Sequence, residues 1–75
     1  MNNPPSILYN GHTIESACFF DTDIKQWHVR CFIIKPDGER SQPIACPCPP
    51  WTRDKREAER LAMRYGASIV QRGEW

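Results

Sequence analysis

Three short stretches of alternating hydrophobicity, each closed by a turn signal, precede one amphipathic stretch of helical period. That order limits the fold more than any other feature. The alternating runs cover residues 12–20, 26–35 and 40–46, and the helical stretch extends from about residue 52 to about residue 70. A period of two puts one face of each run into a core, and a period near 3.6 does the same for one side of a helix. The expectation is an α+β domain: a three-stranded antiparallel β-sheet in the order β-β-β-α, with one C-terminal helix packed on one face. Residues 7–72 would form this single domain. Residues 1–6, with Pro4-Pro5, would be a flexible N-terminal arm, and residues 73–75 a C-terminal tail.

Parity assigns the faces. In the first run Ile14, Ser16, Cys18 and Phe20 share one side, and Glu15, Ala17 and Phe19 the other. In the second, Trp27, Val29, Cys31 and Ile33 oppose His28, Arg30, Phe32 and Ile34. A tight hairpin over residues 21–25 puts the even residues of the first run beside the odd residues of the second. Phe20 then lies opposite Trp27 or opposite Val29, and the second register places Cys18 opposite Cys31. Lys35-Pro36-Asp37-Gly38-Glu39 is a strong hairpin signal. Pro43 cannot donate to a ladder, so the third strand is expected at an edge or bulged. Cys46-Pro47-Cys48-Pro49-Pro50 reads as a stiff extended connector from sheet to helix.

The helix has two candidate caps, Thr52 and Asp54, the latter at capping-box spacing from Glu57. Ala58, Leu61, Ala62, Tyr65 and Ile69 form its apolar arc, expected on the Trp27/Val29/Cys31/Ile33 side. Gly66 weakens the helix interior by about 1 kcal/mol, so the last turn is expected to fray; Gly73 is the expected stop.

Seventy-five residues support one small core, which at this size is marginal without a staple or a partner. The net charge of +1 gives no global electrostatic case for nucleic acid or membrane. No apolar run reaches the roughly 20 residues of a membrane helix. Residues 1–6 carry no secretion signal, so a cytoplasmic location with reduced thiols is the default expectation.

Three sets of residues are candidates for chemistry. Arg53, Arg56, Arg60 and Arg64 share a helix arc opposite the apolar one and could follow a row of phosphates. Glu57 and Glu59 stand beside them at ion-pairing distance in sequence, so a solvated charged face is the competing and simpler reading. On the outer side of the sheet, Phe19, His28, Arg30, Phe32 and Ile34 would stay uncovered by a single helix. Such a surface suits a protein contact first and base stacking second. Ile7-Leu8-Tyr9 or Trp75 folding over it is a third option. Cys46 and Cys48, with Cys18, Cys31, His12 or His28, could supply four zinc ligands, but the pair spacing is poor and no second pair exists. No metal or other cofactor is expected. No nucleophile elbow and no glycine-rich phosphate loop occurs, so neither catalysis nor a small-molecule substrate is expected.

Residues 27–71 resemble the second half of a double-stranded-RNA-binding domain, in which antiparallel strands lead into a helix opened by basic residues. Asp54-Lys55-Arg56-Glu57-Ala58 is similar to the Ser-Lys-Lys-Glu-Ala start of that family's last helix. The resemblance implies that Lys55 and Arg56 hold phosphates across a major groove. The family's first helix has no counterpart, and Glu59 stands where its motif has another basic residue. The pattern also resembles small uncharacterised bacterial proteins of three strands and a helix, and sheet-reading DNA-binding domains of the integrase type. By the latter resemblance Arg30 and Arg40 would enter the groove.

These readings converge on a non-enzymatic binding module. Self-association as a homodimer or docking of another protein through Phe19, Phe32 and Ile34 leads. Nucleic-acid binding by the helix arginines, or by His28 and Arg30, follows.

Overall fold

The computed structural model describes residues 5–75. Antiparallel strands precede one C-terminal helix, so the α+β class holds. The sheet is different from the expected one. Among the described residues seven short strands form two sheets: β1 (Ser6–Tyr9), β2 (His12–Ser16), β3 (Phe19–Asp21), β4 (Gln26–His28), β5 (Arg30–Ile34), β6 (Ile44–Ala45) and β7 (Trp51–Thr52). One sheet has the order β1-β2-β5-β6 and the other β3-β4-β7. The helix, α1, is Lys55–Gln71.

The two sheets share one long hairpin. Thr13 faces Ile34, Ser16 faces Cys31, Phe19 faces His28 and Asp21 faces Gln26, all in a single register. Of the two expected registers, the one with Phe20 opposite Trp27 is observed. Cys31 consequently pairs with Ser16 and not with Cys18. The hairpin passes from one sheet to the other at Ala17-Cys18 and at Val29.

The third pass explains the break. Ala45 lies opposite Arg30 and Trp51 opposite His28. Val29 alone spans the gap on its own strand: its carbonyl accepts from the Cys46 N–H, and its N–H donates to the Pro50 carbonyl, both at 2.9 Å. Residues 47–49 are looped out between these two bonds. Pro47, Pro49 and Pro50 have no N–H to continue a ladder. The proline run is therefore a loop within the third pass, not a connector to the helix. β6 sits at the edge of its sheet, as Pro43 foretold. Ahead of it Ser41 fills in, its hydroxyl accepting from the Ile33 N–H at 2.9 Å.

The N-terminal segment is also more ordered than expected. Asn10 and Gly11 take positive φ of 49° and 78°, the two-residue turn that matches strand twist. It folds β1 back on β2, with Ile7 opposite Ile14. Ser6 thus belongs to a strand, and the Pro5 carbonyl accepts from the Ser16 N–H at 2.9 Å. The remaining expected arm, residues 1–4, lies outside the described residues.

Ile14, Val29, Cys31 and Ile33 are fully buried beneath the helix. Ala58, Ala62 and Ile69 of the expected arc meet them, while Leu61 and Tyr65 are only half-buried at the margin. Met63, Gly66 and Val70 take the other side of the contact. Gly66 causes this rotation. A Cβ there would lie 3.2 Å from Cys31 Sγ and would collide with Ile14. The missing side chain lets the helix axis come close to the sheet, and the helix continues to Gln71 instead of ending early.

Asp54 occupies the N-cap position but makes no side-chain cap bond. Glu57 instead accepts from the Thr52 hydroxyl at 3.2 Å, tying the first turn to β7. Gly73, at φ 76°, closes the C-terminus: its N–H donates to Val70, and the Glu74 N–H donates to Ile69. These are the two bonds of a Schellman cap. Trp75 then packs against the core rather than over the outer face.

Candidate binding face of the sheet

Phe19, His28, Arg30, Phe32 and Ile34 share the outer side of the bent hairpin, and cross-strand pairing brings their neighbours to them. The face divides at the bend. On the β2-β5 side, the Arg40 guanidinium lies 3.9 Å from the centre of the Phe32 ring and donates to Glu15 at 2.9 Å. Phe32 is therefore capped, and Ile34, flanked by Thr13 and Arg40, is half-buried. This part of the surface satisfies its own charge and covers its own apolar area.

The β3-β4-β7 side is open. The Phe19 ring stacks on the His28 imidazole at 4.4 Å and 13°. Trp51 meets the same imidazole edge-on at 6.3 Å, across the β4-β7 pair. Phe19 is 43% exposed and Trp51 46% exposed. The Arg30 guanidinium lies 5.0 Å from the Phe19 ring centre. It makes no ion pair among the described residues, and its Nε is buried there without an acceptor. Rings and a guanidinium without a carboxylate thus meet at one end of the sheet.

Trp51 escaped the sequence reading because the proline run before it looked like a path to the helix. Its signal was an aromatic residue followed by a β-branched one, Trp51-Thr52, a pair that favours a strand.

Asp21 holds the imidazole in place, its Oδ2 2.9 Å from His28 Nε2. The hydrogen bond from His28, then that from the Asp23 N–H, moves the Asp21 carboxyl below its usual range. A lowered carboxyl pKa stabilises the fold above the unfolded value of about 3.9, and that contribution disappears as pH falls through the native value. Asp21→Asn is expected to be less stable than the parent chain at pH 7, with a smaller gap near about pH 2. Urea titrations at the two pH values check this; an unchanged gap at low pH would contradict it.

The helix arginines are arranged less simply than a stripe. Arg53 precedes the helix and Lys55 begins it. Arg56, Arg60 and Arg64 are exposed on the helix itself. Arg60 reaches Glu57 at 3.7 Å. No ion pair of Arg53, Lys55, Arg56 or Arg64 occurs among the described residues, so the expected neutralisation by Glu57 and Glu59 is realised only at Arg60. Lys55 Nζ lies 5.7 Å from the centre of the Trp27 ring.

All four cysteines are free. Burial, with Cys18 and Cys46 close by, pushes the Cys31 thiol up to about 11, so it stays protonated and acts as a small apolar core group. Cys46 is buried and Cys48 exposed. Among the described residues no group of three or more His, Cys, Asp or Glu is placed to hold a metal ion. No described helix is long and apolar enough to cross a membrane.

No family model matches the chain, and neither a curated protein nor a solved structure does.

Proposed function

We propose that the chain is a non-enzymatic protein-docking module whose contact surface is the open end of the outer sheet face: Phe19, His28, Arg30 and Trp51. One observation carries this reading. Two half-exposed rings flank a stacked imidazole, beside an arginine that has no acidic partner among the described residues. Aromatic residues and arginine are the residue types that anchor protein contacts, because they combine large apolar area with a few directed donors. The partner that fits is a protein segment presenting an apolar side chain beside a carboxylate. The side chain would cover Phe19 and Trp51, and the carboxylate would meet Arg30. The surrounding charges favour protein over phosphate on this face. Arg40 is occupied by Glu15 and His28 by Asp21, which leaves Arg30 alone, whereas phosphate binding draws on several free cations. Four free thiols suit work in a reducing compartment such as the cytoplasm.

Peptides selected from a random display library on the immobilised protein test the proposal. Winners should combine an aromatic or aliphatic residue with Asp or Glu. Phe19→Ala and Trp51→Ala should each weaken their binding by roughly tenfold or more. Arg56→Glu should leave it unchanged. Winners indifferent to Phe19→Ala and Trp51→Ala would overturn the assignment.

A second reading has its own observation: Arg53, Lys55, Arg56 and Arg64 carry no ion pair among the described residues. Nucleic-acid binding there would use Arg53, Arg56, Arg60 and Arg64, with Lys55 and Arg56 in the roles implied by the double-stranded-RNA-binding resemblance. It predicts affinity for duplex RNA that falls steeply with salt and is lost in the double variant Arg56→Glu/Arg60→Glu.

A further inference from the structure

We infer that the chain forms a homodimer by pairing β1 with β1 of a second copy, joining two four-stranded sheets edge to edge. β1 is separate from the docking face, and only half of its backbone groups are bonded to β2.

Antiparallel pairs alternate between residues that exchange both hydrogen bonds and residues that exchange none. The two-residue turn at Asn10-Gly11 makes Tyr9 and His12 an exchanging pair, and the next is Ile7 with Ile14. The bond from Ser16 N–H to the Pro5 carbonyl continues the same series. Ile7 and Tyr9 therefore turn their N–H and C=O toward β2. Ser6 and Leu8 turn theirs away from the sheet, where no described strand receives them.

That spacing is self-complementary. About a two-fold axis through Ile7, Ser6 of one copy faces Leu8 of the other, and Leu8 faces Ser6. Both are outward-pointing residues, so each pairing exchanges two hydrogen bonds. Ile7 then faces Ile7 of the partner copy as the non-exchanging pair, the position where side chains approach most closely. The exposed apolar groups coincide with this edge: Leu8 is 76% exposed and Ile7 40% exposed. Pairing would cover Ile7 beside the helix and Leu8 on the outer side.

The other edges are blunted and β1 is not. β6 is two residues long and lies between Pro43 and Pro47. β7 is two residues long and follows Pro49-Pro50. β3 has three residues and ends at Asp21. β1 has four residues with no lysine, proline or bulge within them, and Pro5 just before it turns its carbonyl, and its missing N–H, toward β2 rather than toward the open edge. A dimer made this way carries two open docking ends, one on the β3-β4-β7 sheet of each copy, so a partner with two binding segments would gain from avidity.

Sedimentation equilibrium of the full chain in reducing buffer, from about 1 μM to about 1 mM, spans the range expected for a small edge contact. The mass should rise toward twice that of the chain. Leu8→Pro removes only an outward N–H and spares the β1-β2 ladder; it should stay monomeric at every concentration. Leu8→Lys, which keeps the backbone intact, should dissociate the dimer as well. Ser6 and Leu8 amides should exchange slowly with solvent at high concentration and fast at low, while Ile7 and Tyr9 stay protected at both. A wild-type chain that is monomeric throughout overturns the inference. So does a dimer that survives Leu8→Lys, and if Phe19→Ala disrupts such a dimer, the copies meet through the outer face instead.

Discussion

Ile14→Ala is expected to destabilise the fold by about 2–5 kcal/mol, read from urea unfolding followed by circular dichroism. The side chain has no exposure and sits where every layer meets: β1 through Ile7, β5 through Ile33, and the helix at Gly66. Truncation removes apolar area and leaves a cavity that little can fill, because the neighbouring helix contact is backbone rather than a mobile side chain. Domains of this length have a total stability of roughly 4–10 kcal/mol. The variant should therefore lose a large fraction of the chain's stability. A loss below about 1 kcal/mol would mean that the helix does not rest on Ile14.

Gly66→Ala is expected to lower stability by about 1–3 kcal/mol, although alanine is the better helix former. Helix propensity alone would raise stability by about 1 kcal/mol. Packing decides the sign against it. The new methyl group would meet Cys31 Sγ at 3.2 Å and collide with Ile14, a β-branched side chain held stiffly at χ1. Relief requires the helix to lift off the sheet. The two positions should therefore couple: Ile14→Ala clears the space that the Gly66 methyl group needs. The double variant Ile14→Ala/Gly66→Ala should lose less than the sum of the single losses, by an amount in the range of roughly 0.5–3 kcal/mol. A stabilised Gly66→Ala would contradict the close approach of helix and sheet.

Gly66 also shows why part of the core escaped the sequence reading. Hydrophobic periodicity gives glycine no weight, so the arc centred itself on Leu61 and Tyr65. The contact actually follows the small residues Ala58, Ala62 and Gly66 that let the backbones approach. The strand faces were legible because alternation survives a bend. Ile14, Val29, Cys31 and Ile33 keep one parity through both sheets, and the hairpin keeps one register. The bend itself was not legible. It depends on a hydrogen-bonding partner that arrives about 20 residues later in the chain, when Val29 bonds to both Cys46 and Pro50.

The same non-local event hid half of the candidate site. Phe19, His28 and Arg30 were readable from parity, but Trp51 joins them only because the chain returns to the sheet after residues 47–49. Phe32 and Ile34 were assigned to the site on parity alone. The structure places them on the self-covered side of the bend, where Arg40 spans Phe32 and Glu15. β1 was under-read for a different reason. Ile7-Leu8-Tyr9 is too short to show a period, and only the Asn10-Gly11 turn marks it as half of a hairpin.

A backbone and side-chain amide shift map, recorded by NMR as a display-selected peptide is added, bears most directly on which surface works. Shifts should concentrate at Phe19, His28, Arg30 and the Trp51 indole N–H, with Arg56, Arg60 and Arg64 unmoved. Shifts concentrated along the helix arginines, with Trp51 silent, would contradict it.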